Sequence, residues 1–335
     1  MARKAAIIGC GSTKITGKTG WAIGYAHANG YLAADPAIEL YGVDPNAENA
    51  AAFGEKYGIP ASRLFKSTAE LYAAVTPDYV SIGTWPKLHS PQTIEAANAG
   101  VKGIICEKPI AVSPAEVREM IDVCTKKNVK LAINHQRRHY HGNTTIKKLL
   151  AEGAIGDGVT AEFRIADDWD IMSWTVHWFD YANYIFGATP EWVLAGMDIT
   201  GERRYQHAME NASVILAQYP GNRQAVFITG PVNPQPYMVY FRGSKGMIQF
   251  PEGSTVRVIN EQGLSVYGEN DQAPADPMKC MAEQIINAVE KGEDMICSAA
   301  NCAAATEMAF AAHESAKSAK KVYLPIKFTD APLER

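Results

Sequence analysis

The chain lacks several features that would point elsewhere. Its six cysteines, Cys10, Cys106, Cys124, Cys280, Cys297 and Cys302, form no CxxC pair. Neither a zinc knuckle nor a disulfide-stapled secreted scaffold is indicated, and the thiols read as reduced core residues. No stretch approaches the ~18 consecutive apolar residues of a membrane span. The N-terminal apolar run, Ala5-Ala6-Ile7-Ile8, is too short for a secretory leader, so a cytoplasmic location is expected. There is no dense basic patch either. Lys and Arg number 32 against 36 Asp and Glu, a formal net charge of −4. The pairs Lys126-Lys127 and Lys320-Lys321 sit at expected helix ends, where cations complement the dipole. This argues against nucleic acid or an anionic membrane surface as the main partner. His135, His139 and His141 cluster without a cysteine or carboxylate at ligand spacing, so no metal site is expected. No internal repeat or low-complexity linker appears.

What is present is an ordinary globular composition. The chain has 335 residues, 47% hydrophobic and 20% charged, enough for about two domains with proper cores. Up to about residue 130, short apolar runs alternate with helical segments, the pattern of a parallel sheet covered by helices. Strands are expected near 5–8, 38–43, 79–83, 103–106 and 129–133. Ser67-Thr68-Ala69-Glu70 and Ser113-Pro114-Ala115-Glu116 read as capping boxes, and Ser90-Pro91 as a weaker helix start. Beyond residue 135 the texture changes. Helices are expected near 144–151, 173–186, 277–291 and 298–320, and β-like runs near 191–197, 212–218, 224–228, 237–241, 247–250 and 255–259. The fold class is therefore α/β: a doubly wound parallel sheet over residues 1–134, then an α+β domain over 135–335 with a large, mostly antiparallel open sheet.

The first strand runs into Gly9-Cys10-Gly11, the start of a dinucleotide-binding fingerprint. Glycine there lets the backbone approach a pyrophosphate, which sits on a helix N-terminus. The third glycine is not at position 14, which is lysine; Gly24 is the best candidate, after an insertion of about ten residues from Ser12 to Trp21. Ser12 and Thr13 continue the turn and are read as cofactor contacts. The inserted Thr16-Gly17-Lys18-Thr19 invites a P-loop reading, but six positions separate Gly11 from Gly17 when counted as steps, and Ser12 stands where the P-loop glycine belongs. The loop is read instead as a cover for the cofactor or substrate mouth, or as a plain surface excursion. Asp44 ends the second strand, where an acid binds both ribose hydroxyls of NAD and repels the 2′-phosphate of NADP. It also fits as the cap of a helix starting at Pro45, and the two roles can coexist. NAD is the expected cofactor, with NADP the lesser choice.

A second constellation follows the fourth run. Ile104-Ile105-Cys106 stops abruptly at Glu107-Lys108-Pro109, which puts a carboxylate and an amine at a strand's carboxyl end, where open α/β sheets bind ligands. Farther on, Asp167-Asp168-Trp169-Asp170 and Ser173-Trp174 lead to His177. Acids hold hydroxyls and indoles cover C–H faces, so Asp168, Asp170, Ser173 and Trp174 are candidate contacts to a carbohydrate or polyol; a solvated loop is the plain alternative. Arg138, with Arg137, His139 and His141, is a candidate contact to an acidic or phosphorylated substrate, or a structural cation.

In order and spacing, Gly9-x-Gly11, His27-Ala28-x-Gly30-Tyr31, Thr84-Trp85-Pro86-x-x-His89, Glu107-Lys108-Pro109, Gln136-Arg137-Arg138, Gly153-Ala154-Ile155-Gly156 and His177-x-x-Asp180 resemble the Gfo/Idh/MocA family, which includes glucose–fructose oxidoreductase and inositol 2-dehydrogenase. The resemblance implies an N-terminal Rossmann domain, a C-terminal domain whose open sheet forms homo-oligomer contacts, NAD(P), and sugar or polyol substrates. It places Thr84, Pro86, His89 and Glu107 on the cofactor side. It gives Lys108 contact with both substrate and nicotinamide, and gives His177 the acid/base role, with Asp180 as its support. One departure stands out: the family aspartate four residues before the histidine is Ser173 here. Either His177 works without that carboxylate, or Asp168 or Asp170 substitutes, or the chemistry has changed. The expected activity is an NAD-dependent dehydrogenase of a sugar, glycoside or cyclitol; a redox-neutral NAD-dependent glycosidase and a non-catalytic NAD-binding sensor are the alternatives.

Overall fold

The structure is a computed structural model that describes residues 2–12, 22–165, 170–204, 207–230, 238–250, 255–268 and 276–330. In chain order the first elements are β1 (Lys4–Ile8), α1 (Ile23–Ala34), β2 (Glu39–Val43), α2 (Ala47–Tyr57), β3 (Leu64–Phe65), α3 (Thr68–Ala74), β4 (Tyr79–Ile82), α4 (Pro86–Asn98), β5 (Gly103–Cys106), α5 (Pro114–Lys126) and β6 (Lys130–Ile133). They are followed by α6 (His141–Ala151), β7 (Thr160–Ile165), α7 (Val176–Phe186), β8 (Trp192–Arg204), β9 (His207–Tyr219), β10 (Arg223–Thr229), β11 (Met238–Gly243), β12 (Gly246–Phe250), β13 (Val256–Asn260), β14 (Gly263–Tyr267), α8 (Pro277–Lys291), α9 (Ala299–Ser318) and β15 (Val322–Tyr323).

These elements form two compact units. The first takes in residues 1–112, 116–136 and 276–301. Among the described residues its six strands are all parallel, in the order β3-β2-β1-β4-β5-β6. Continuous apolar runs such as Ala5–Ile8 suit this sheet because helices cover both faces, and none of those four residues is more than 1% exposed. Strand order reverses between β1 and β4. The loops leaving β1, β4 and β5 therefore gather at the carboxyl edge beside the switch point, where such sheets bind ligands.

Local signals account for most helix starts. Asn46 caps α2 by accepting the N–H groups of Glu48 and Asn49. The helix thus begins at Ala47 and not at Pro45. Ser67 Oγ accepts the Glu70 N–H at 3.2 Å, while the Glu70 carboxylate takes the Lys66 N–H at 2.9 Å, one residue ahead of the capping-box geometry. The Ser90-Pro91 start is displaced. Pro86 already supplies the preorganised first helical residue of α4, and Pro91 lies inside the helix, where its missing N–H forfeits one rung.

The sequence pattern places one boundary between residues 134 and 135, whereas α8 joins the first unit. A Cβ on Gly30 of α1 would come within 2.4 Å of the Met278 carbonyl oxygen, so glycine allows the two helices to touch. Beyond α8 the chain runs beside β6, and the Ile133 N–H donates to the Cys297 carbonyl at 2.9 Å.

The second unit takes in residues 113–115, 137–275 and 302–335. Among the described residues its nine strands lie in the order β14-β13-β12-β11-β7-β10-β9-β8-β15, antiparallel except for the β7–β10 pair. The β8–β9 hairpin extends well beyond the expected runs, because pairing continues through polar residues with register shifts on either side of Ile199. The strands β14 and β15 were not expected. One face is packed: Phe163 stacks on Phe227 with ring centroids 4.7 Å apart, and Phe179 of α7 meets Phe227 edge-on. On the same face the Tyr219 hydroxyl donates to Asn183 Oδ1 of α7 at 2.7 Å. Ser315 Oγ of α9 accepts the Ala195 N–H at 2.9 Å. The other face is open, with Leu194, Val214, Ile259, Leu264 and Val266 all exposed. Among the described residues no helix is long and apolar enough to cross a membrane.

Candidate active site

The dinucleotide cradle assembles as the glycines require. Gly9 and Gly11 hold φ of +86° and +73°, a region L side chains rarely enter. Gly24 opens α1 so close to the turn that a Cβ would lie 2.6 Å from the Gly9 carbonyl oxygen and 2.9 Å from that of Cys10. That close approach is the one the third glycine of the fingerprint serves. Asp44 is buried at the end of β2. Its Oδ2 accepts the Gly11 N–H and its Oδ1 the Asn46 N–H, both at 2.9 Å. The carboxylate thus ties the end of β2 to the glycine turn and does not cap α2. Beneath the turn, burial pushes the Cys10 thiol up to about 12, and it is an unreactive core group. Backbone cradle, helix N-terminus and strand-end acid fit a dinucleotide. Thr13 and the rest of the 13–21 insertion, including the P-loop-like stretch, lie outside the described residues.

Thr84, Pro86 and His89 shape the neighbouring loop. Thr84 Oγ1 donates to Gln92 Oε1 at 2.6 Å, and Pro86 starts α4. The fully buried His89 ring lies between two carbonyls, with Nδ1 2.8 Å from Pro109 O and Nε2 3.1 Å from Thr84 O. Burial lowers its pKa, although both hydrogen bonds work the other way. His89 thereby links the loop after β4 to the one after β5.

Glu107 points inward. Its carboxylate is met by His27 Nε2 of α1 at 3.1 Å, by the Asn134 side-chain amide at the end of β6, and by the Lys108 N–H at 3.2 Å. A carboxylate only accepts, so His27 carries its proton on Nε2. Burial alone would raise the Glu107 pKa. The hydrogen bonds and charges of His27 and Lys108, with Asn134, outweigh it and hold the group down at about 2. Two elements, α1 and the end of β6, thus grip the residue next to Lys108, and the Lys108-Pro109 peptide is cis. Neither His27 nor Asn134 was singled out as a partner of Glu107, because nothing local joins positions so far apart in the chain.

The second unit holds the other candidates. The segment expected as one helix over 173–186 is a π-helical turn, Ile171–Thr175, running into α7. Asp170 is fully buried ahead of it and accepts the Ser173 N–H at 2.6 Å and the Ser173 hydroxyl at 2.8 Å. The Trp174 ring meets His177 edge-on, with centroids 5.7 Å apart. His177 is 5% exposed. The Arg137 guanidinium lies 5.1 Å from the Trp174 ring and 4.9 Å from the Trp178 ring, a cation–π contact on each. Arg138 is engaged by Asp180 through two charge-assisted bonds of 2.9 and 2.7 Å in the buried interior. Asp180, expected to support His177, is thus the counter-ion of Arg138. Asp168 lies outside the described residues. Among the described residues no group of three His, Cys, Asp or Glu side chains forms a metal site.

This fold and these groups are those of a nucleotide-dependent oxidoreductase. Residues 3–135 match the family model described as "Oxidoreductase family, NAD-binding Rossmann fold", and residues 143–249 match the GFO/IDH/MocA C-terminal domain. The chain belongs to the Gfo/Idh/MocA oxidoreductase family, and its N-terminal region is an NAD-binding Rossmann domain. It is similar to mouse trans-1,2-dihydrobenzene-1,2-diol dehydrogenase, 29% identical over 62% of this chain and 65% of that one. It is also similar to D-apiose dehydrogenase of Paraburkholderia graminis, 27% identical over 55% of this chain and 50% of that one. The matches thus span between half and two thirds of these two relatives. Among solved structures, an oxidoreductase from Agrobacterium radiobacter in complex with NAD+, L-tartaric acid and magnesium shares the fold, with a TM-score of 0.82 at 19% identity over 96% of this chain and 98% of that one.

Proposed function

We propose that the protein is an NAD-dependent dehydrogenase that moves a hydride between the nicotinamide and a secondary hydroxyl of a sugar, glycoside or cyclitol. The observation that carries this is the gripped Glu107-Lys108 step, at the same sheet edge as the glycine turn. NAD, when bound, supplies the hydride acceptor. Lys108 donates a hydrogen bond to the carbinol oxygen and stabilises the negative charge that develops there. The His177 imidazole takes the hydroxyl proton. Asp170 stands in for the missing family aspartate. With its proton held by Asp170, the Ser173 hydroxyl presents lone pairs as acceptors, so the serine extends the carboxylate's influence along the turn. Trp174 and Asp168 supply the aromatic and polar contacts a carbohydrate needs. Asp170, fully buried with both oxygens on Ser173, acts through the serine and not as a direct contact.

Asp44 supports NAD over NADP. In Asp44→Ala, affinity for NAD is expected to fall more than affinity for NADP, measured by titration with each reduced cofactor. Equal loss would leave Asp44 only its hold on the glycine turn. The open sheet face supports a homo-oligomer. Val214, 54% exposed on β9, is a suitable probe. Val214→Asp is expected to dissociate the oligomer by light scattering, and an unchanged mass would place any contact elsewhere.

The deciding experiment incubates the protein with NAD, or separately NADP, and a panel of sugars, glycosides, sugar acids and inositols. Reduced nicotinamide is followed by absorbance, and released sugar is assayed in the same mixtures. Growing absorbance with one compound establishes the dehydrogenase and its substrate class. Sugar release at flat absorbance replaces it with redox-neutral glycoside cleavage. Cofactor binding with no turnover replaces it with a sensor.

A further inference from the structure

The turn just ahead of His177 is unusual. In Ile171–Thr175 the backbone winds so that the Val176 N–H reaches back five residues to the Ile171 carbonyl. Such turns are rare and concentrate at functional sites. A helix start also leaves N–H groups that need acceptors from elsewhere. Here two carboxylates supply them. Asp170 is the local one, holding Ser173. The other is Glu210 of β9, whose Oε2 accepts the Ile171 N–H at 2.9 Å. The second oxygen, Oε1, lies 2.6 Å from His313 Nε2 of α9. Glu210 and His313 are 2% and 4% exposed, and neither belongs to any motif in the sequence. Burying a carboxylate is costly unless it is paired and hydrogen-bonded. This one is hydrogen-bonded on Oε2 by the first residue of the turn, while Oε1 lies in close contact with the His313 imidazole without the alignment of a hydrogen bond. Three residues after Ile171 comes Trp174, whose ring sets one wall of His177.

We propose that Glu210 and His313 are a positioning pair that braces the Ile171–Thr175 turn from the sheet and from α9, and so fixes the orientation of Trp174 and His177. Neither residue touches the reacting atoms. The pair works as a strut: α9 locates His313, His313 locates the Glu210 carboxylate, and the carboxylate locates the Ile171 N–H. Loss of the strut lets the turn relax toward regular helix, which rotates the residues that follow it. The catalytic consequence rests on His177 as the acid/base; the displacement itself is measurable without turnover.

The test uses the full chain labelled with 15N-histidine, as wild type, Glu210→Ala, Glu210→Gln and His313→Asn. In Glu210→Ala the His177 ring resonances and their titration midpoint are expected to move. Glu210→Gln keeps an acceptor for the Ile171 N–H and is expected to restore them. NADH binding, followed by its fluorescence, should stay within about twofold of wild type in all three variants. With an active substrate in hand, Glu210→Ala should lower kcat by about 10- to 100-fold, the scale of a small misplacement of a catalytic group. The KM for NAD should change little. If Glu210→Ala does not fold, His313→Asn decides. Its shorter side chain withdraws the group in contact with Glu210 Oε1, and the His177 resonances should move in it too. Unmoved His177 signals in a folded Glu210→Ala or in His313→Asn, or equal disturbance in the Ala and Gln variants, overturn the proposal. Full turnover in His177→Ala overturns the acid/base reading alone, and the resonance comparison still decides on the pair.

Discussion

Lys108→Ala and His177→Ala are each expected to lower turnover at least about 100-fold, the scale on which a positioned acid/base group or a donor to a developing oxyanion acts. The two losses have different signatures. Lys108 stands at the carboxyl end of β5, beside a carboxylate gripped by His27 and Asn134, so its removal takes away a charge from an otherwise fixed edge. Folding and the glycine turn should survive, and NADH should still bind. His177 belongs to the second unit, so His177→Ala should leave cofactor affinity untouched while abolishing the alkaline-favoured limb of the rate that an imidazole base produces. Steady-state rates against pH, with NADH titrations on the same preparations, separate these effects. Near-wild-type kcat in both variants would end the assignment. A loss in only one would leave the other residue a binding role.

Glu107→Ala should have the largest effect on stability. Removing the carboxylate strips His27 Nε2 and the Asn134 amide of their acceptor in a buried site. Breaking a buried pair by deleting one partner costs about 3–5 kcal/mol. For a protein of this size each kcal/mol lowers the melting temperature by about 2–4 °C, so a fall on the order of 10 °C is expected. Glu107→Gln keeps an acceptor and should lose much less at neutral pH. The two forms should diverge in acid. The Glu107 pKa falls from the ordinary 4.5 to about 2 on folding. A carboxyl depressed in this way contributes its full stability above the unfolded pKa and loses it as pH falls toward the folded one. Wild type should therefore lose stability between about pH 4.5 and 2 more steeply than Glu107→Gln. Denaturant melts at pH 7, 4 and 3 test this, and parallel pH curves for the two proteins would remove the charged clamp from the account.

Much of this protein was written in local sequence. Apolar runs of four or five residues marked the parallel strands because both faces of that sheet are covered. Gly24 stands where close approach of helix to turn tolerates no Cβ, a requirement that glycine alone meets and that the sequence therefore displays. The Pro277–Lys291 helix and the Ser67 cap were equally plain, since a cap and a helical period are fixed by residues within one or two turns. What the tertiary structure decided were the partnerships across distance. Only the folded chain lays α8 against α1, turns Glu107 inward to His27 and Asn134, gives Asp180 to Arg138, and sets Glu210 and His313 behind the turn that carries Ser173. A buried charge selects its partner by proximity in space, and that proximity is created by strand order and helix packing, which no spacing along the chain records.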